Sequence, residues 1–389
     1  MITGVTGSDS TPDERSQEVT GVSIVVPCHG RVQMVESLLQ SLTTARSKTA
    51  LSTEVLIVDT SQAAEAQIIQ HACEHYAARY LLSPLNDVRH KRNLGIDQAL
   101  FSVVLFVDSD CVAQPDLVAE HVRSYGDDIA GVLGFTDFVG RDSWIWRIIE
   151  KTPFLDSFRA ARYSETVPWG PTCNLSFRKE ILTALGGFAT HLSAKVGGED
   201  VDLGLRVTDS GHTIRCNPAA VVEHERETWA SLRLMSVRLF RWGQGHFYLI
   251  DGHRHRVISD LPKTASLFLL LLPVSLVAAI ACRSAALLLL PPAWLGLAVL
   301  IETTLVLGAT SQQPIDFTDL LGARIFGLIF DFGNLLEGLR RGSFRPFYQE
   351  IYYVRPTVHS RGRNRRLAEV WACVLALVAL LLAIELMSC

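Results

Sequence analysis

Val103-Val104-Leu105-Phe106-Val107-Asp108-Ser109-Asp110 runs five apolar residues straight into a pair of carboxylates. A short unbroken apolar run predicts a strand buried on both faces. Two acids one residue apart at its end can hold a hard divalent cation while leaving positions for phosphate oxygens and water. Alone the pair is a weak signal, because aspartates also serve turns. The pattern repeats upstream. Residues 22–26 stop at Pro27-Cys28-His29-Gly30-Arg31, residues 54–58 stop at Asp59, and residues 80–82 form a weaker run. Residues 31–44, the stretch ending near Ala77, and residues 86–100 have helical periodicity between them. Strands alternating with helices predict an α/β fold: a parallel sheet covered on both faces, whose ligand lies outside the carboxyl ends of the strands. No internal repeat and no Walker or G-x-G-x-x-G loop is present.

Further along, Gly197-Gly198-Glu199-Asp200 places two acids at the start of an apparent helix over 201–210. Capping and helix-dipole complementarity can account for acids there. The string shares letters with the GG[DE]EF signature of nucleotide cyclases, but Val201 and Asp202 stand where the second acid and Phe belong. His224 follows a strand-like run at 219–222.

Taken in order, these pieces resemble the family-2 glycosyltransferases, inverting enzymes of the GT-A fold, over about residues 22–251. VSIVVPCHGR is similar to their opening strand and nucleotide-binding loop, with Pro27, His29 and Arg31 on the donor side. VLIVDTS is similar to the second strand, whose Asp59 would recognise the base. HKRNLGIDQA resembles the A-R-N-x-G segment and carries Arg92 and Asn93. LFVDSDC resembles the strand and its D-x-D, and WGPTCNLSFRKE the acceptor-side G-x-N segment, with Gly170 and Asn174. The stretch from Gly197 to His224 resembles the one bearing the catalytic carboxylate, with Arg206 inside it.

The resemblance implies a Rossmann-like transferase domain working on a nucleotide-sugar, most simply a UDP-sugar. Asp110, His224 and Asp108 would hold Mn²⁺ or Mg²⁺, Asp108 would meet the ribose, and Arg92 the diphosphate. Asp200 is expected to be the general base, with Glu199 as the alternative. A helix start lowers a carboxyl pKa, which weakens a base; the like charge of Glu199 can offset that. Arg238-Leu-Phe-Arg241-Trp242 resembles the Q-x-x-R-W motif of processive polysaccharide synthases, with Arg in the first position. Arg241 and Trp242 are expected on the acceptor side, and an amphipathic connecting helix over 229–248 accounts for them equally. Cys28, Cys111 and Cys173 stand inside the motifs and read as small packing residues. The loop over 135–169, with Trp144, Trp146 and Tyr163, is expected to choose the acceptor.

The composition assigns the rest. Of 389 residues, 48% are apolar and 20% charged, with a mean hydropathy of +0.23. These figures exclude disorder, collagen and a disulfide scaffold. The net charge of −4 gives no support to nucleic-acid binding. Eight cysteines without C-x-x-C spacing argue against a zinc site. Residues 1–20 lack the apolar run of a signal peptide and read as a disordered tail. By the resemblance, residues 21–251 are expected to form the transferase domain, followed by a basic linker over 252–263.

Residues 264–282 and 284–309 then form a transmembrane hairpin turned at Arg283, with a kink at Pro291-Pro292. Residues 310–366 are expected to be cytoplasmic, and 367–386 to be a third span. Within the cytoplasmic part, residues 320–339 have helical apolar spacing. Arg324, Asp331, Asn334 and Glu337 fall on the other side, which predicts an interfacial amphipathic helix rather than a span. Eight arginines over 338–366 against Glu350 alone predict that this stretch lies inside, where contact with anionic lipid headgroups and a solvated face account for it equally. The expected protein is a multi-pass enzyme of the cytoplasmic membrane, with its catalytic domain in the cytoplasm and a lipid-linked, glycan or peptide acceptor. Its alternatives are a processive polysaccharide synthase and an inactive scaffold or nucleotide-sugar sensor.

Overall fold

The computed structural model describes residues 19–190, 196–260, 262–309, 316–353, 369–378 and 380. The expected disordered tail therefore falls almost wholly outside the described residues, as do the arginines at 355, 361, 363, 365 and 366.

The chain opens as three strand–helix repeats and a fourth strand: β1 (Gly21–Cys28), α1 (Val32–Ser47), β2 (Ser52–Asp59), α2 (Ala63–His75), β3 (Arg79–Leu82), α3 (Val88–Gln98) and β4 (Val103–Val107). All residues of β1 and β4 are buried, as unbroken apolar runs require when helices cover both faces. Asp87 caps α3, its carboxylate accepting the Arg89 N–H at 3.0 Å.

Next come β5 (Cys111–Ala113), α4 (Leu117–Arg123), β6 (Ile129–Val139), α5 (Trp144–Glu150), α6 (Asp156–Arg159), β7 (Thr166–Val167), β8 (Asn174–Arg178), α7 (Lys179–Ala184), α8 (Glu199–Asp209), β9 (Thr213–Glu225) and α9 (Leu232–Gly252). The sheet order is β3-β2-β1-β4-β8-β6-β9-β5, with β7 beside β9. β3-β2-β1-β4 is the parallel sheet expected, and β6 also runs parallel to β9; β8 runs antiparallel to both β4 and β6, and β5 and β7 antiparallel to β9. After β4 the chain uses short helices and returning strands, and antiparallel pairing needs no long crossover.

Beyond α9, β10 (Val257–Ser259) leads into α10 (Thr264–Ala281), then α11 (Leu290–Ala309), α12 (Phe317–Arg340) and β11 (Gln349–Ile351), which pairs with β10. Two helical stretches, Thr264–Ala281 and Ala285–Val306, are long and apolar enough to cross a membrane. Arg283 turns between them at φ +51, and Ser284 N–H reaches Ala279 O at 3.0 Å to close the helix end. The expected kink is instead a break: a 3₁₀ turn over Ala285–Leu289 precedes α11, and Pro291 and Pro292 lie in its first turn, where missing N–H groups cost nothing. Of the third expected span, the helix Glu369–Val378 is described, and it packs beside Trp294 and Ala298 of α11.

α12 departs from its expectation. Its polar residues Arg324, Asp331, Asn334 and Glu337 are buried, while Ile325, Leu336 and Leu339 remain exposed. The polar face is turned inward because partners wait there: Lys263 for Asp331, Glu302 and Glu369 for Arg324, and Tyr248 for Glu337. α12 also lies directly on α9. A Cβ at Gly243 would collide with the Phe330 carbonyl, and one at Gly333 with the Phe240 carbonyl.

Candidate active site

The parallel strands end on one edge, and a cavity of about 400 Å³ opens there. Pro27, His29 and Arg31 line it after β1, Asp108, Ser109 and Asp110 after β4, Glu199 and Asp200 at the start of α8, His224 from β9, and Trp242 from α9. Segments from both ends of the transferase region, Pro27 to Trp242, thus converge where an open α/β sheet places its ligand.

The charges interlock. Arg92 is buried and bridges two acids, Nη1 to Glu199 at 2.9 Å and Nη2 to Asp108 at 3.2 Å. Arg31 donates from Nη1 to Asp110 Oδ2 at 2.5 Å. Asp200 opens to the cavity on one side and is packed by protein on the others. Burial, and then the like charge of Glu199, push its carboxyl up to about 7, outweighing Arg92 and the Val201 N–H at 2.8 Å. Gly198, at φ +97, supplies the left-handed turn that starts α8 with these two acids facing the cavity.

Asp110 and His224 fit a divalent cation. His224 Nδ1 lies 3.2 Å from the Glu225 carbonyl, a contact that places the proton on Nδ1 and leaves the Nε2 lone pair facing Asp110 Oδ1 at 3.6 Å. Carboxylate oxygen suits Mn²⁺ or Mg²⁺, the imidazole favours Mn²⁺ of the two, and Asp108 adds a second carboxylate on the same edge. Cys111 has its sulfur near the same pair. Burial pushes the Cys111 thiol well up, and both Cys111 and Cys173 are buried, as packing residues are.

Five expected site residues do not line this cavity. Asp59 is fully buried and accepts from Ser61 N and Oγ (2.9 and 2.5 Å) and from Tyr80 Oη (3.0 Å). Through Ser61 Oγ, which accepts the Gly30 N–H at 2.7 Å, it positions the loop after β1. Asn93 pairs with both backbone groups of Phe188, at 2.9 and 2.8 Å. Gly170 backs onto Leu133. Asn174 donates to the Phe135 and Ala220 carbonyls, both at 2.9 Å, at the bulge where β6 and β9 lose register. Arg241 is exposed on α9. Trp146, expected to face an acceptor, is buried among Phe138 and its neighbours, while Trp144 and Tyr163 are exposed.

Two cations were not expected there. Lys91 lines the cavity and donates to the Cys28 carbonyl at 2.7 Å. Arg238 reaches it one helical turn before Trp242, its guanidinium 4.2 Å from the Trp229 ring centre and its buried Nη1 without a hydrogen-bond partner among the described residues. Burial pulls Arg238 down to about 10, so it stays charged at neutral pH. The i,i+4 spacing of Arg238 and Trp242 was the available signal.

Residues 23–186 match the family model described as Glycosyl transferase family 2. The chain is 25% identical over 217 residues to glycosyltransferase AglE of Haloferax volcanii, covering 51% of this chain and 67% of that one. It is 25% identical to the probable glycosyltransferase YdaM of Bacillus subtilis, over 64% of this chain and 62% of that one. The succinoglycan biosynthesis protein ExoM of Rhizobium meliloti is 26% identical, over 61% and 78%. Among solved structures, the mannosyltransferase PcManGT of Pyrobaculum calidifontis, in complex with GDP-Man and Mn²⁺, shares the fold with a TM-score of 0.51 at 18% identity, over 85% of this chain and 90% of that one.

Proposed function

We propose, from the premise that the chain is a family-2 glycosyltransferase of the GT-A fold, that the strand-end cavity transfers a sugar from a nucleotide-sugar to an acceptor hydroxyl with inversion. The observation that carries this reading is geometric: Asp108, Asp110 and His224 stand together at the strand-end edge of one cavity, and Asp200, whose carboxyl is raised by burial and by Glu199, opens onto the same space. A base with a pKa near ambient pH is half ionised and still strong enough to take a proton.

In the reaction, Asp200 accepts the proton of the acceptor hydroxyl as that oxygen bonds to the anomeric carbon. The bond from that carbon to the diphosphate oxygen breaks on the opposite face, which inverts the centre. The departing diphosphate carries the negative charge, and Arg31, Arg92, Lys91 and Arg238 supply fixed positive charge around it. Asp110 and His224, with Asp108, would hold Mn²⁺ or Mg²⁺, which when bound adds Lewis-acid neutralisation of the diphosphate. Glu199 orients Arg92 and raises the Asp200 carboxyl. A UDP-sugar is the simplest donor. The PcManGT complex, which contains GDP-Man, makes GDP the first competitor to test.

We read the division of the chain as a transferase unit over 21–251, a basic connector over 252–263, and a membrane part with spans over 264–309 and 367–386. The basic residues around 254–256 and 338–366 support a cytoplasmic side for the transferase unit. A lipid-linked or cell-envelope acceptor suits a cavity held beside the bilayer.

Binding of UDP and GDP with Mn²⁺, followed by calorimetry, and transfer to a membrane extract, followed with labelled sugar, test this reading. Asp200→Asn should lower transfer by about 10²–10⁴-fold and leave the nucleotide Kd within about twofold. Full activity in that variant removes Asp200 from its role. A wild-type chain that binds neither nucleotide would instead be a scaffold.

A further inference from the structure

A second cavity, of about 560 Å³, lies between the C-terminal end of α9 and the turn after α12. Arg254, Arg341 and Arg345 line it against a single lining carboxylate, Asp251. Asp251 is shared: Arg345 Nη1 meets its Oδ1 at 2.8 Å and Arg254 Nη2 at 3.0 Å. Arg341 is braced from below by Glu337 and Tyr248. Positive charge is therefore in surplus at the opening. Guanidinium forks match phosphate oxygens in pairs, so the complementary ligand is a phosphate ester.

The surroundings say which kind. Phe344 and Tyr348 line the same cavity and are 62% and 47% exposed. Their neighbour Phe347 packs on Ala265 in the first turn of α10, and the Tyr348 carbonyl accepts the Asp260 N–H at 2.8 Å. The cavity thus opens at the level where the first apolar helix begins. Leu336 and Leu339, in the last turns of α12, are exposed as well. Aromatic rings beside basic residues at that level are the signature of the membrane–water interface. A soluble phosphate would engage the arginines and leave the rings and leucines uncovered.

We propose that this cavity seats the phosphate-bearing headgroup of an anionic membrane lipid, its acyl chains lying along Phe344 and α12. The proposal rests on α10 being a membrane span, and it requires no transfer activity, so a failure here is separable from a failure at the sugar-transfer cavity.

The test uses the full chain in uncharged detergent, titrated with short-chain phosphatidylglycerol, phosphatidylcholine of equal chain length, and glycerol phosphate, with binding read from tryptophan fluorescence. Phosphatidylglycerol should saturate at the lowest concentration of the three. Arg254→Gln with Arg345→Gln should weaken it about thirtyfold, about fivefold for each basic residue lost near an anionic surface. Both arginines pair with exposed Asp251, so the fold should persist, and an unchanged melting midpoint without lipid checks this. Asp251→Asn gives the opposite sign, severalfold tighter binding through loss of the competing carboxylate. Equal binding of phosphatidylcholine, equal binding of glycerol phosphate, or no response to the arginine substitutions would each overturn the proposal.

Discussion

Asp200 and Glu199 are adjacent acids with different work, and their surroundings separate them. Glu199 is spent on Arg92, whereas Asp200 has its charge disfavoured by burial and by Glu199. Because the base form of Asp200 is required, transfer should rise about tenfold per pH unit below 7 and level off above it. Glu199→Gln removes the like charge and should move that limb to lower pH while leaving activity measurable; loss of all activity would make Glu199 the base. The residue scale also shows three motif residues held by the fold itself. Asp59, Asn93 and Asn174 stand in the segments expected to touch ligands, yet their polar atoms are consumed by backbone and neighbouring side chains. Burial and hydrogen bonding decide that, and both depend on the far side of the fold.

α9 is the element that joins the site to the rest. Its N-terminal half presents Arg238 and Trp242 to the cavity, and its glycines let two other backbones come close. Gly245 lies on the Gly197 backbone, just before Glu199 and Asp200, and Gly243 lies on α12. Gly245→Ala would push a methyl group into the Gly197 carbonyl, which cannot yield as a flexible side chain could. The expected result is a loss of about 1–3 kcal/mol in urea unfolding and a fall in kcat larger than the change in donor KM. An unchanged kcat would free α8 from α9 control.

Across the whole molecule, the transferase unit and the apolar helices are fastened by buried charge. Arg324 on α12 pairs with Glu302 of α11 at 2.5 Å and with Glu369 at 3.0 Å. Lys263, at the entrance to α10, pairs with Asp331 and Glu350, and Glu350 also meets His246 of α9. α11 runs back along α10, which returns Glu302 to the level of Thr264 and keeps these charges at one end of the hairpin. Removing a single partner leaves the others buried and uncompensated. Arg324→Ala should therefore destabilise the folded chain by about 3–5 kcal/mol, measured as loss of the unfolding midpoint in detergent, whereas exposed Arg254→Ala should change it little.

The sequence by itself determined the strand–helix order, the two long apolar helices, and the acids at 108, 110 and 200. Those rest on local chemistry: unbroken apolar runs, turn residues, and carboxylates at strand and helix ends. Tertiary structure decided the antiparallel half of the sheet, the inward turn of the polar face of α12, and the choice of Arg238 over Arg241 at the cavity. Each of these depends on which partner lies opposite. A periodic pattern shows that a helix has two faces, but only the packed neighbours determine which face is buried.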